Sequence, residues 1–468
     1  MTDYSFNEAL FKKSFSVKED KPDNTYRLNH IPDNYFKLFP YKAATKTASP
    51  IVYDLGSCIS EFFRNVLEIT TEPVYYDQLC EKLKENIDIE DDDVDMFNDI
   101  ISSLFFNNGD FYAYSIGLYP YQTIIDNKSS ERIAEFLYCV LGLDSSDKAN
   151  IKAAGDKYSF NVVERMIVDS IDTQSNETKL KHEKYYPIIN SIQKQFKTDF
   201  SFMLSYGMTS VEDLTNLLSF YYFYYVSQTC LTLDQFGNGM REQVKPLYFA
   251  LDWEKVSKNR KCCEEGWTKL QNNVSRMFSH AITLEIINQN DKTEMMDYID
   301  FKSIADTSDE NDVKIADEIK KAECIYISCI GDYPKIKEIP YEIGANRADA
   351  AIRHLFKCVD SQFINVRKEP YDRYSAKFSE FCKARFVKNR KKSGLTLNLT
   401  ERDIIFLTKL AIQHDEKIRL NDLYKEYENR GIYLDSTSKG LLQEFFTKLN
   451  LIDKKSDSGD AQYVKRIL

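Results

Sequence analysis

The chain has few of the residues that break helices. It contains 15 glycines and 11 prolines among 468 residues, about half the usual share. An all-β fold rich in tight turns is therefore excluded, because such turns depend on these two residues. Hydrophobic residues make up 43% and charged residues 29% of the chain, a balance that excludes wholesale disorder. We predict a mainly α-helical globular protein of about three domains.

The sequence also lacks an apolar run long enough to cross a bilayer. The most apolar stretch, residues 217–226 (LLSFYYFYYV), is short and rich in tyrosine hydroxyls, so we interpret it as a buried aromatic helix. The first residues have neither the basic flank nor the apolar core of a signal peptide. The ten cysteines form no CxxC pair, which is typical of a reduced, cytoplasmic protein.

Charge of one sign is in excess, with a formal net charge of −11. That value argues against electrostatic attraction between the chain as a whole and nucleic acid, but it is compatible with a local basic site. Residues 88–99 hold seven acids, which indicate either a solvated helix start or a docking strip for a basic partner. Residues 383–392 hold no acid and six bases: Lys383, Arg385, Lys388, Arg390, Lys391 and Lys392. This basic run is either a DNA contact or a solvated helix end before a linker.

Composition shifts divide the chain into four regions. Residues 1–50 are polar with scattered aromatics and predict an N-terminal arm lying over another surface. Residues 51–300 predict a helical body, and residues 301–392 a second helical region that ends in a basic linker. Within the second region, residues 325–330 (IYISCI) are the best candidate for a β-strand. Residues 395–468 predict a separate C-terminal domain.

The C-terminal domain carries its own boundary signals. Three helices are predicted, each after a capping residue: 401–414 after Thr400 with Asp403 at its third position, 422–429 after Asn421, and 436 to about 450 after Asp435 or Ser436. A β-hairpin follows, with its turn at residues 456–460. Three short helices and a hairpin are typical of a winged helix-turn-helix module.

A winged helix that binds DNA places its third helix in the major groove. The candidate contacts are Ser436, Lys439, Gln443 and Thr447 on that helix, Lys454 and Lys455 in the wing, and Lys388, Arg390, Lys391 and Lys392 in the basic run. Gln443 can read an adenine edge, and the lysines can reach phosphates. Residues 395–468 nevertheless hold 12 basic and 12 acidic side chains, and a neutral module suits protein docking equally well.

No motif in the chain carries catalysis. The P-loop, HExxH and GxSxG patterns are absent. His354 and Cys358 are four residues apart and can share a metal, but no second pair of ligands accompanies them, which favours ordinary core residues. Cys262 and Cys263 follow a basic stretch that would lower a thiol pKa, although ordinary helix positions explain them better.

A nuclease is the remaining catalytic alternative. Glu318 and Lys320 have the E-x-K spacing of Mg²⁺-dependent nucleases, but they lie on a helix-like stretch. We therefore expect a non-enzymatic protein with no catalytic residue, no metal and no cofactor.

Two segments resemble a known family. Residues 247–257 (LYFALDWEKVS) and 449–464 (LNLIDKKSDSGDAQYV) are similar to the DptG family, also called DndG, of bacterial DNA phosphorothioation-dependent restriction systems. Chain length and the order of segments fit that family over nearly the whole sequence. The resemblance implies a defence complex with DptF and DptH as partner subunits, which attacks DNA lacking the sulfur mark. It supplies no catalytic residues.

Two hypotheses about function follow. In the first, the chain is a non-catalytic subunit that helps the restriction complex engage double-stranded DNA through residues 383–468. In the alternative, it is a protein–protein scaffold whose winged helix is a docking interface for the partner subunits.

Overall fold

The computed structural model describes residues 4–22, 25–43, 50–87, 89–123, 128–158, 162–171, 184–290, 294–454 and 462–467. Within these ranges the chain is mainly α-helical, as its composition predicts. The helices are α1 (Glu8–Ser14), α2 (Ile59–Leu67), α3 (Tyr76–Asn86), α4 (Val94–Phe105), α5 (Lys128–Val140), α6 (Ser145–Tyr158), α7 (Val162–Ser170), α8 (Ser191–Tyr206), α9 (Val211–Leu233), α10 (Lys269–Ser275), α11 (Met277–Ile287), α12 (Tyr298–Ala305), α13 (Asp309–Cys329), α14 (Arg347–Val366), α15 (Lys368–Arg385), α16 (Glu401–Ile412), α17 (Leu420–Asn429) and α18 (Ser436–Lys448). The strands are β1 (Phe106–Asn107), β2 (Asp110–Phe111), β3 (Leu247–Leu251), β4 (Val387–Asn389), β5 (Leu395–Leu399), β6 (Lys417–Arg419), β7 (Ile432–Tyr433), β8 (Ile452–Lys454) and β9 (Gln462–Lys465).

The aromatic stretch forms the centre of the body. It lies in α9, which begins at the capping residue Ser210 and is buried from Leu217 to Leu233. Its tyrosine hydroxyls find partners inside the core, for example Tyr41 with Tyr222 at 2.6 Å, which offsets the cost of burying them. The prediction of a buried aromatic helix is confirmed. Across the described ranges, no helix has the length and apolar character needed to cross a membrane.

The predicted strand at residues 325–330 is wrong. Helix α13 continues through this segment to Cys329, and α13 and α14 pack together as a pair. Ile315, Ile319 and Tyr326 are buried on α13 at steps of four and seven residues, which is the spacing of one helix face. The β-branched residues at the end therefore form the last turns of a long helix, which is stabilised by its packing on α14.

A small mixed sheet joins the body to the C-terminal residues. Its strand order is β4-β5-β3-β7, with β3 parallel to both β5 and β7 and β4 antiparallel to β5. The prediction of a helical body over residues 51–300 missed β3, because a short buried apolar run does not distinguish strand from helix. The basic run also differs from its prediction as a linker, because residues 387–389 are paired in the sheet.

The C-terminal residues form three helices and a second sheet. Helices α16, α17 and α18 are accompanied by strands in the order β6-β9-β8, all antiparallel. Thr400 and Asp403 make the predicted capping box of α16, and Asp435 caps α18. The predicted cap at Asn421 is wrong, because α17 already begins at Leu420 and its first turn has no side-chain cap.

Candidate nucleic-acid interface

The start of α18 is held against the loop that follows β3. The Arg260 guanidinium donates to both carboxylate oxygens of Asp435 at 2.5 and 2.6 Å, and Ser438 Oγ donates to Glu254 Oε2 at 2.9 Å. Burial works against the charged form of Asp435, but the hydrogen bond from Arg260 keeps the pKa of this carboxyl below its usual value. These contacts fix the direction in which α18 presents its other face.

The opposite face of α18 is open to solvent. Ser436 and Thr447 are exposed, and Lys439 and Gln443 are half-buried. Lys439 Nζ lies 3.2 Å from a carboxylate oxygen of Glu428, so its charge is partly compensated. Thr447 Oγ1 donates to the main-chain carbonyl of Gln443 at 2.8 Å, so this bond does not involve the side-chain amide of Gln443. The four candidates therefore lie on one face of α18, and Ser436 and Thr447 are its exposed members.

Two candidates from the basic run have structural contacts instead. Arg390 donates to the carbonyl of Leu251 at 2.7 Å and to Asn398 Oδ1 at 2.7 Å, so it holds the end of β3 against β5. Lys388 Nζ lies 2.6 Å from Asp252 Oδ1. Arg390 in particular is committed to the backbone around β3 and is poorly placed to bind a phosphate.

The other two candidates of the basic run lie on the surface. Lys391 and Lys392 are exposed, and Ser393 Oγ donates to the Val256 carbonyl at 2.6 Å. This contact brings the turn at residues 391–393 next to the loop at residues 255–261. The same loop contacts the start of α18 through Arg260, which donates to Asp435.

That loop adds two lysines that sequence analysis did not propose. Lys255 and Lys258 are exposed, like Lys391 and Lys392. We call these four residues the basic patch. None of the four forms an ion pair with a residue of the described ranges, so their charges are available to an anionic ligand. The lysine-rich sequence around residue 258 was the available signal, but nothing in it indicates proximity to a turn more than 130 residues away.

The wing candidates are only partly placed. Lys454 ends β8, which pairs with β9, while the side chain of Lys454 and the whole of Lys455 lie outside the described residues. The hairpin itself is present as predicted, and its turn falls in the same gap.

The two catalytic alternatives find little support in the geometry. Glu318 Oε2 accepts a hydrogen bond from the Phe6 backbone at 2.8 Å and belongs to no group of potential metal ligands among the described residues. Burial raises the pKa of Cys262 to about 12, opposite to the lowering that its basic neighbours suggested, so this thiol stays protonated at neutral pH.

No protein-family model matches the chain, and a search of curated proteins finds no match.

Proposed function

We propose that this chain is a non-catalytic subunit of a bacterial phosphorothioation-dependent DNA restriction complex, and that it helps the complex engage double-stranded DNA. In this proposal, helices α16 to α18 and the sheet β6-β9-β8 form a winged helix, and the partner subunits are DptF and DptH. The proposal is supported by the resemblance of residues 247–257 and 449–464 to the DptG family and by the order of elements in the C-terminal region.

The observation that carries the proposal is the basic patch beside the open face of α18. Four exposed lysines that have no acidic partner among the described residues are a source of affinity for phosphates even in a chain of net charge −11. Gln443 and Ser436 on the adjacent face are suited to base edges or to the sugar–phosphate backbone. Phosphate contacts from the patch would then position α18 over the groove.

Salt-dependent DNA binding tests this proposal. We expect the purified chain to bind duplex DNA in fluorescence anisotropy, with an affinity that falls as salt rises. Four phosphate contacts contribute about −3.6 to the slope of log K against log salt. Replacing Lys255, Lys258, Lys391 and Lys392 together with alanine should remove most of that slope.

The matched control replaces four other exposed lysines, Lys152, Lys194, Lys335 and Lys337. It changes the net charge by the same amount but should leave the slope near that of the wild type. No DNA binding at low salt, or equal losses in both variants, would contradict the proposal. Arg390 is left intact in both variants because its contacts hold β3. Repeating the titration with phosphorothioate duplex shows whether the sulfur mark is sensed by this chain.

A second candidate function is a scaffold that joins partner subunits, and the surface of α4 favours it. Met96, Ile100 and Leu104 are 61%, 44% and 50% exposed, and their spacing of four residues places them on one face of the helix. The exposed Asp95 and Asp99 lie on the same helix. An apolar face edged by acids suits a partner segment that is both apolar and basic.

A further inference from the structure

A compact group of three potential metal ligands lies between α13 and α14. Glu323, His354 and Cys358 are 6%, 6% and 0% exposed, and one donor atom of each lies within 4.8 Å of the others. The i,i+4 pair of His354 and Cys358 is visible in the sequence, but Glu323 joins it only because the two helices pack together. Within the described ranges no other group of this kind occurs.

The hydrogen bonds of His354 show that a proton or a metal ion must lie between its Nδ1 and Glu323. Nε2 lies 2.9 Å from the carbonyl oxygen of Ile339, and Nδ1 lies 2.7 Å from Glu323 Oε2. A carbonyl oxygen only accepts, so the ring proton of neutral His354 belongs on Nε2. The lone pair of Nδ1 then faces a carboxylate oxygen, and two acceptors cannot lie this close without a proton or a metal ion between them.

We propose that Glu323, His354 and Cys358 bind a divalent transition-metal ion, with Zn²⁺ as the best match. The ligands would be His354 Nδ1, a carboxylate oxygen of Glu323 and the Cys358 thiolate. A nitrogen, a sulfur and an oxygen donor together suit Zn²⁺ better than Mg²⁺ or Ca²⁺, which prefer oxygen alone. The Cys358 Sγ to His354 Nδ1 distance is 3.9 Å, close to the ligand separation of about 3.5 Å expected around tetrahedral zinc.

The surroundings have the contacts that orient metal ligands. The bond from His354 Nε2 to Ile339 fixes the tautomer that presents Nδ1. The Tyr341 hydroxyl donates to the other carboxylate oxygen, Glu323 Oε1, at 3.3 Å. The Tyr341 ring is stacked on the His354 imidazole at a centroid distance of 3.6 Å and an angle of 5°. These contacts hold the side chains of Glu323 and His354 in place.

A nucleophilic Cys–His–Glu triad fits this geometry less well. Such a triad uses both ring nitrogens, one for the thiol and one for the carboxylate, whereas Nε2 of His354 is already bonded to a backbone carbonyl. Burial also raises the pKa of the Cys358 thiol, and a reactive thiol needs the opposite shift and solvent access.

Binding has a defined proton balance. The metal replaces the thiol proton of Cys358 and the proton shared by His354 Nδ1 and Glu323. Two protons are released to solvent for each metal ion bound, and no oxidation or reduction takes place.

Metal titration of the full-length chain tests the inference. After EDTA treatment and gel filtration, we expect the chain to bind one equivalent of Co²⁺ with a thiolate-to-cobalt absorption band, and Zn²⁺ to abolish that band by competition. Metal content and proton release in weakly buffered solution give two readouts that do not depend on any activity. Bound metal should also raise the melting temperature, because it binds the folded state.

Three variants complete the test. Cys358→Ser should lose the cobalt band and at least about tenfold in affinity, whereas Cys324→Ser, at the exposed neighbour of Glu323, should retain both. His354→Gln should also lose metal binding, and if it fails to fold, the serine variant still decides. A wild-type chain that binds no metal and shows no cobalt band, or a Cys358→Ser variant that binds like the wild type, would overturn the inference.

Discussion

At the scale of single residues, Asp33 ties the N-terminal arm to the body. Its Oδ1 accepts from the backbone nitrogens of Leu38 and Phe39 at 2.8 and 2.9 Å, and its Oδ2 accepts from the Tyr374 hydroxyl at 2.5 Å. Burial raises the pKa of Asp33 to about 6 in spite of these bonds. The arm is therefore attached through a carboxyl group that titrates close to neutral pH.

This shift predicts how stability depends on pH. An unfolded aspartate has a pKa of about 3.9, so between about pH 4 and pH 6 the folded state binds more protons than the unfolded state. The free energy of unfolding should fall as the pH rises through this window. Asp33→Asn does not titrate and tolerates the positive φ of 55° at this position.

Between pH 4 and pH 8, the free energy of unfolding of Asp33→Asn should rise by up to about 3 kcal/mol relative to that of the wild type. Urea unfolding at several pH values measures the difference, with Asp92→Asn at an exposed position as the control. Parallel curves for wild type and Asp33→Asn would show that Asp33 does not titrate in this range.

At the scale of elements, α4 is amphipathic in an unusual sense, because part of its apolar surface faces solvent. Ile101 and Phe105 are buried and anchor the helix, while Met96, Ile100 and Leu104 cover the outside. Within the described residues, the acidic run lies in the turn before α4 and in its first half, and Asp92, Asp93, Asp95 and Asp99 are exposed. The solvated helix start is therefore confirmed, while the docking strip for a basic partner stays a prediction.

The scaffold candidate predicts that this face binds a partner subunit. Ile100→Ser combined with Leu104→Ser should change stability by no more than about 0.5 kcal/mol, because both residues are exposed. Co-purification with co-expressed DptF or DptH should fall at least tenfold. The control is Ile343→Ser with Ile364→Ser, which are 100% and 50% exposed elsewhere. Full assembly of the α4 variant would refute a docking role for this helix.

At the scale of the whole molecule, the C-terminal region and the body form one core. Strand β3 lies between β5 and β7, so removing residues 395–468 would strip both neighbours from it. Arg430, directly after α17, forms an ion pair with Asp199 on α8, with an Nη2 to Oδ1 distance of 2.7 Å, and the two side chains are 1% and 0% exposed. Point variants are therefore better tools than truncations for separating the roles of the two parts.

The buried ion pair predicts strong coupling between the two parts. Asp199→Ala leaves the Arg430 guanidinium buried without its main partner and should cost about 3–5 kcal/mol. Glu212→Ala breaks another pair between the same two parts, Arg402 with Glu212, which is 83% and 67% exposed, and should cost at most about 1 kcal/mol. Urea unfolding followed by circular dichroism measures both, and equal effects would contradict the coupling.

The sequence by itself determined the features that depend on near neighbours. The capping box of Thr400 and Asp403, the cap at Asp435 and the buried aromatic helix α9 were all predictable, because each depends on residues within a few turns. The mainly helical character follows from the scarcity of glycine and proline in the same way.

Only the tertiary structure decided what depends on distant partners. Strand β3 forms because β5 and β7 supply hydrogen bonds from residues about 150 and 185 positions away, whereas the predicted strand at residues 325–330 is helical because α13 packs on α14. The basic patch and the group of Glu323, His354 and Cys358 likewise bring together side chains from separate segments. Local propensity cannot predict such groupings, since the free energy that forms them comes from packing between segments.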